Sequence, residues 1–309
     1  MNGKSRLLIT GGLGNLGSWL TYFFSDKYDV YILSKNNPLK LECKYTLIQA
    51  DITSYDELAL KLSIEFDYCI HTASYNDFYD NGYAKKALIV NSLGTRNLLE
   101  VIKNTKIKNF IYLSTFHVYG VECGDVTEKT ELNPINDYAS THLFAEYYIK
   151  QFHEVYNLNY TILRLTNSYG APKHANINKW HLIINDLVKG AYDNGRVVVK
   201  SNGNIEKDFI YMGDVCNIVY KLLAIKPKND VFNLSSGRSS KIIDIARMVQ
   251  HVYKNKFNVN INIEINNNDN NNYNSLLVKN EKLKKVIDFE INDAFLQEIK
   301  KIFIFLQKV

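Results

Sequence analysis

The chain has 309 residues, 46% of them apolar and 22% charged, a composition that excludes a disordered protein and suffices for one large α/β domain carrying a smaller lobe. Its net charge of +5 comes from scattered lysines with no basic run interleaved with aromatics, which excludes an obvious nucleic-acid partner and suits small anionic ligands. Cys43, Cys69, Cys123 and Cys216 stand far apart without CxxC or Cys/His spacing, so reduced thiols, a cytoplasmic setting and no metal site are expected.

From Met1 the chain runs within six residues into its first core strand, leaving no room for a signal peptide, and no apolar run reaches the roughly 18 residues of a membrane span. That first stretch, LLITGGLGNLG from Leu7 to Gly17, organises the rest. A buried strand meets Gly11, Gly14 and Gly17, spaced three apart, where a tight turn, close approach of main chain to a ligand and close helix packing are needed. The helix that follows from Leu16 to Asp26 aims free N–H groups and a positive dipole end at phosphates, so the expected ligand is a dinucleotide.

Strands then alternate with helices: strand Val30–Ser34, strand Thr46–Ala50, helix Tyr55–Leu62, strand Tyr68–His71, helix Ala84–Asn104, strand Phe110–Ser114, helix Tyr138–Tyr156 and strand Tyr160–Leu165. This alternation predicts an α/β fold, a Rossmann-type doubly wound parallel sheet. Beyond Gly170 the rhythm loosens into helix Trp180–Lys189, strands Val197–Val199 and Phe209–Tyr211, helix Val215–Leu223, strand Val231–Leu234 and helices near Lys284 and over Ala294–Leu306. Residues 1–170, with 209–236 returning, are expected to form the dinucleotide domain. Residues 171–208 and 237–309 are expected to form a smaller mixed α/β C-terminal lobe that binds substrate. The stretch Asn266–Asn274, NNNDNNNYN, reads as a surface loop.

A dinucleotide enzyme usually ends its second strand with an acid that holds the adenosine ribose, whereas a base there accommodates a 2′-phosphate. Here the positions are Ser34 and Lys35, so NADP and NAD both stand, and Lys35 is either a phosphate partner or a solvated loop lysine. Asp51, at the end of the third strand, either accepts from an adenine amino group or caps the next helix.

Eight stretches in this order resemble the extended short-chain dehydrogenase/reductase family of nucleotide-sugar epimerases, dehydratases and reductases. They are TGGLGNLG (Thr10–Gly17), ADIT (Ala50–Thr53), HTAS (His71–Ser74), NSLGTRNLLE (Asn91–Glu100), LSTFHVYG (Leu113–Gly120), NPINDYASTHLFAE (Asn133–Glu146), LRLTNSYG (Leu163–Gly170) and EKDFIYMGDV (Glu206–Val215). The resemblance implies a cofactor lined by Gly11, Gly14, Asn15, Leu16, Gly17, Ser34, Lys35, Asp51, Ile52, Thr72, Ala73, Ser74, Asn91 and His142. It places the catalytic phenol at Tyr138, the hydroxyl that shares its oxygen at Thr115 with Ser114 beside it, and substrate contacts at Thr115, His117, Asn167 and Lys207.

Three departures from the family pattern stand out. Family 4,6-dehydratases carry Asp-Glu directly after the catalytic Thr, and here Phe116 and His117 follow, which argues against water elimination by that route. Lys207 stands in place of a pyrophosphate-binding arginine and keeps the charge without the bidentate fork. His142 replaces the lysine four residues after Tyr138, one helical turn on and so on the same face; it still offers a hydrogen bond to the cofactor ribose, with little charge at neutral pH. The expected activity is NAD- or NADP-dependent oxidation or reduction at C4 of a nucleotide-linked sugar in surface-glycan sugar biosynthesis. A 4-epimerase, or a scaffold or redox sensor with a decayed catalytic set, are the alternatives. A homodimer is expected through the helices Ala84–Asn104 and Tyr138–Tyr156, with Phe144, Tyr148 and Phe152 as an apolar stripe that faces either a partner or its own core.

Overall fold

The computed structural model describes residues 3–36, 41–77, 80–177, 179–266, 268–269 and 275–308; most of the Asn-rich stretch expected to be a surface loop lies outside them. In chain order the first elements are β1 (Arg6–Thr10), α1 (Asn15–Phe24), β2 (Asp29–Ser34), β3 (Thr46–Gln49), α2 (Tyr55–Lys61), β4 (Tyr68–His71), α3 (Tyr83–Ala87), α4 (Thr95–Ile102), β5 (Asn109–Thr115), β6 (Gly124–Val126), α5 (Asp137–Tyr156) and β7 (Tyr160–Leu165). There follow β8 (Asn167–Tyr169), α6 (Ile183–Asn194), β9 (Arg196–Val199), β10 (Glu206–Tyr211), α7 (Met212–Leu223), β11 (Asp230–Leu234), β12 (Ser239–Lys241), α8 (Ile242–Phe257), β13 (Asn262–Ile265), β14 (Leu276–Val278), α9 (Glu281–Lys284) and α10 (Phe295–Leu306).

Two compact units emerge. The first comprises Met1–Val121, Glu128–Leu165 and Cys216–Leu234. It holds a seven-stranded sheet in the order β11-β7-β5-β4-β1-β2-β3, every neighbouring pair parallel. Strand order reverses beside β1, the switch point at which doubly wound sheets bind ligands. All seven residues of β5 (NFIYLST) are buried, as a central parallel strand covered on both faces requires. Leu8, Leu33, Leu58, Cys69, Leu98, Phe110, Ile149 and Ile162 belong to one apolar core of this unit.

Local chemistry sets the helix ends. Ser54 caps α2 by accepting from the Glu57 N–H, with Asp56 and Glu57 in the first turn and Lys61 in the last. Asn136 caps α5 through the Ala139 N–H, and Asn157 closes it in the left-handed region, φ 58°. The single helix expected over Ala84–Asn104 is divided: between α3 and α4 the residues Leu88–Gly94 form a π-helical stretch. Such stretches are frequent at functional sites, and this one carries Asn91. Along α5 the expected apolar stripe does not face one way, since Phe152 lies in the core, Tyr148 packs against it and Phe144 is exposed.

The second unit comprises Glu122–Thr127, Thr166–Val215 and Ser235–Val309. Phe209–Val215 thus sits here and not with the large sheet. β10 lies between antiparallel β12 and parallel β8, while β13 pairs with β9 and β14 with β6. Its core gathers one face each of α6, α8 and α10, including Val188, Ala191, Ile245, Val249, Ile299 and Phe303. α8, sixteen residues long, was not foreseen from the sequence.

Candidate active site

The glycine turn is built as the spacing demands. Gly11 takes φ +67°, and a Cβ there would lie 2.9 Å from the Ala73 main chain; a Cβ on Gly17 would lie 2.0 Å from the Gly11 carbonyl oxygen. Those two glycines serve the fold. Gly14 differs: it is exposed, its φ of −72° suits any residue, and a Cβ would meet within 4 Å the Gly11 oxygen alone, at 3.1 Å. It is the N-cap of α1, which begins without a side-chain cap and so keeps backbone donors free of that partner. Beside it the Asn15 Oδ1 is buried without a hydrogen-bond partner.

At the end of β2 the Ser34 hydroxyl donates to the Asn36 carbonyl, and Lys35 forms an ion pair with Asp51 at 2.7 Å. Asp51 also accepts from the Thr53 N–H and hydroxyl, so the helix cap is Ser54 and not Asp51. Burial pushes the Asp51 carboxyl up, but the Lys35 ammonium and the Thr53 donors outweigh it and leave the group below its ordinary value. Ile52 is buried in the first unit's core, where it would crowd a Cβ on Gly94.

Beyond β4 the loop is stitched to β1. Thr72 donates its hydroxyl to the Thr10 carbonyl, and the Thr10 hydroxyl accepts from the Thr72 and Ala73 N–H groups. Fully buried His71 bonds Thr10 through Nδ1 and Thr95 through Nε2, and desolvation depresses its pKa to about 3. Asn91 accepts from the Tyr75 N–H and donates to the Tyr75 carbonyl and the Thr141 hydroxyl, tying the loop after β4 to α5. Leu16 is half-buried in the first turn of α1.

The end of β5 meets the start of α5. Thr115 and Tyr138 share a side-chain hydrogen bond, and the Tyr138 ring lies edge-on to His142, centroids 4.4 Å apart. Desolvation raises the Tyr138 phenol to about 12, with the Thr115 hydroxyl opposing. His142 is buried; desolvation chiefly, with His71 and His117 adding, lowers its pKa to about 3, so the ring is neutral. Its Nδ1 lies 2.7 Å from the Tyr112 hydroxyl and its Nε2 3.2 Å from the Ser74 hydroxyl. His117 is exposed, with its ring 6.1 Å from that of Tyr138, and Phe116 is buried.

Ser114 is engaged elsewhere: its hydroxyl donates to buried Glu146, which Arg164 grips through Nε and Nη2 at 3.0 and 2.7 Å. Sequence reasoning missed this pair and Tyr112. Glu146 could have been found, because Tyr138, His142 and Glu146 recur every fourth residue on one face of α5. In the second unit Asn167 donates to the Asp208 carbonyl, and Lys207 lies in register with Ser240. Their reading as substrate contacts rests on the motifs LRLTNSYG and EKDFIYMGDV. Among the described residues no three His, Cys, Asp or Glu side chains are grouped to hold a metal, and no helix is long and apolar enough to cross a membrane.

A parallel sheet in this order, with a glycine turn leading into α1 at its switch point, defines a Rossmann-type dinucleotide-binding protein. The model of the NAD dependent epimerase/dehydratase family matches residues 7–235, and the chain belongs to that family of extended short-chain dehydrogenase/reductase enzymes. A protein of Methanocaldococcus jannaschii named "Putative UDP-glucose 4-epimerase" is 28% identical over 260 residues, 79% of this chain and 81% of that one. A dTDP-D-glucose 4,6-dehydratase of Dictyostelium discoideum is 28% identical over 274 residues, 80% of this chain and 62% of that one. The solved structure of a UDP-N-acetylglucosamine 4-epimerase from Methanobrevibacter ruminantium M1, in complex with UDP-N-acetylmuramic acid, shares the fold with a TM-score of 0.84. Its identity is 22%, over 99% of this chain and 100% of that chain.

Proposed function

We propose that the protein oxidises and re-reduces C4 of a nucleotide-linked sugar with NAD, as a 4-epimerase. The observation that carries this reading is the bonded Thr115–Tyr138 pair at the carboxyl end of β5, with a neutral histidine against the phenol. NAD fits the residues present: Gly14 leaves open the space a Cβ would fill, α1 offers uncapped donors, and the ion pair of Lys35 with Asp51 supports NAD over NADP because a 2′-phosphate would compete with that carboxylate. Bound NAD would supply the acceptor that an alcohol carbon needs to become a ketone, and the donor for its return.

The chain supplies the proton chemistry. Tyr138 takes the proton of the C4 hydroxyl and returns it, Thr115 shares the same oxygen, and His142 donates to the cofactor ribose. Because burial holds Tyr138 near 12 and no cation replaces the family lysine, phenolate is scarce at pH 7 and oxidation is slow. The dehydratase relatives do not set the reading, since Phe116 and His117 occupy the places of the acid pair that water loss needs. Self-association through the exposed Phe144 and Tyr147 of α5 completes the proposal, and light scattering at micromolar concentration tests it.

The test is incubation with UDP-glucose and UDP-N-acetylglucosamine, reading C4 configuration by NMR and nicotinamide absorbance together. An epimerase changes C4 without net reduction of free NAD. Net reduction in step with a 4-keto product would replace epimerisation by dehydrogenation, and neither change would bring the scaffold or sensor reading forward. In the same assay His142→Lys should raise oxidation at pH 7 and move its optimum toward neutrality, because a cation beside the phenol favours phenolate.

A further inference from the structure

We infer that Tyr112 is a positioning residue that locks His142 in its Nε2–H tautomer, so that the ring presents a single directed N–H on the Ser74 side. A neutral imidazole has one donor and one acceptor nitrogen. The Tyr112 hydroxyl carries one proton, and its hydrogen-bond partner among the described residues is Nδ1 of His142. Were Nδ1 protonated, that hydroxyl proton would be buried without an acceptor, an arrangement folded proteins avoid. Tyr112 therefore donates, Nδ1 accepts, and the ring proton lies on Nε2, directed at the Ser74 oxygen.

The surroundings hold this orientation. The Tyr112 ring stacks on that of His71, centroids 5.3 Å apart at 27°, and lies nearly coplanar with that of His142, centroids 5.8 Å apart at 25°. His71 is itself neutral and bonded at both nitrogens by Thr10 and Thr95. Glu146, the acid one turn further along α5, is bonded to Arg164 and Ser114. Tyr138 and His117 also face the ring. Ser74 is exposed, whereas the ring it receives is not. A bound ribose would thus take Ser74's place as acceptor, or share it, and meet one directional donor where a lysine offers three.

The cofactor half of this inference rests on the proposed function; the tautomer half does not. The experiment uses the full chain labelled with 15N-histidine, correlating ring nitrogens with ring protons near pH 7, with His142→Gln to assign the ring. The wild-type ring should show one population, protonated at Nε2 alone. Tyr112→Phe keeps the ring and the stack but removes the donor. A second population protonated at Nδ1 should then appear, and the Kd for NAD, read by calorimetry, should rise about threefold to tenfold. Ser74→Ala leaves the Tyr112 bond intact and should preserve the tautomer, which keeps a test available if Tyr112→Phe does not fold. Protonation at Nδ1 or at both nitrogens in the wild type, or an unchanged tautomer in folded Tyr112→Phe, overturns the inference. The predicted tautomer in a protein that binds no NAD would sink the proposed function and leave the assignment of Tyr112 standing.

Discussion

The two ends of the central strands β1, β4 and β5 in the first unit's sheet are built from opposite chemistry. At the amino ends, Asp67 accepts from the Arg6 N–H and pairs with Lys108 at 2.7 Å, in an exposed cleft of about 440 Å³ that Lys4, Glu65 and Lys106 also line. At the carboxyl ends, Thr10, His71 and Thr115 are buried, and hydroxyls there bond neutral rings. Water screens the charges at one end and is kept from the polar groups at the other. The difference teaches where a small change matters: an exposed ion pair contributes little, whereas a buried network holds its proton positions.

The sharpest way to break the comparison is to remove the proposed base, Tyr138, from the carboxyl end. Tyr138→Phe should lower single-turnover oxidation by about 10²–10⁴-fold in stopped flow while NAD binding survives. A wild-type rate would move the proton transfer away from this end of the sheet. Next come the glycines, which separate fold from ligand. Gly17→Val should fail to give folded protein, since even a Cβ would lie 2.0 Å from the Gly11 oxygen. Gly14→Val should fold and weaken NAD at least about a hundredfold, about 2.7 kcal/mol; normal NAD titration by this variant would remove the phosphates from the turn.

A titration distinguishes the ends without touching ligands. His71 and His142, held near 3 in the folded chain, regain a pKa of about 6.5 on unfolding, so the unfolded state binds more protons between those values. Stability is therefore full above about pH 6.5 and falls as pH drops toward 3, on the order of 3 kcal/mol per ring by pH 4.5. His71→Gln should remove about half of that slope in urea-derived stability, His142 keeping the rest, and an unaltered slope would mean that the His71 ring is protonated in place.

The smallest effect belongs to the amino end. The Lys108 hydrogen bond, against some burial, holds the Asp67 carboxyl below its ordinary value, so its contribution is present above about pH 4 and lost as pH falls through the lowered value. Lys108→Ala should cost no more than about 1 kcal/mol at pH 7 and less in high salt. A larger, salt-insensitive loss would mean that this end is built like the other.

Much of this contrast was legible beforehand. The glycine spacing located the turn, and apolar runs gave the seven strands of the large sheet to within a residue at each end, whereas the short strands β6, β8, β12, β13 and β14 were missed because three or four residues carry too little pattern. The family motifs named Thr115 and Tyr138 together, and the two share a side-chain hydrogen bond; their catalytic roles belong to the proposal above. Tyr112 did not, since nothing in FIYLST says which buried tyrosine meets a nitrogen thirty residues away. Ser114 and Thr115 are neighbours in sequence, yet one is bound to Glu146 and the other to Tyr138, a division fixed by the side-chain alternation of a strand. Leu88–Gly94 reads as ordinary helix because a π turn leaves the apolar pattern nearly intact while shifting Asn91 into reach of Tyr75.

The pairing of β6 with β14 also bears on how the molecule is made. Gly124 faces Leu276 in that ladder, so about 150 residues separate the partners. At ribosomal rates of about 5–20 residues per second, β6 waits on the order of ten to thirty seconds for its complement. Throughout that interval the strands of the large sheet are emerging and free to assemble, while a short unpaired edge remains available to any passing chain. Overexpression at low temperature lengthens the wait, and a chaperone that shields such an edge would raise the yield of native protein more than one acting after release.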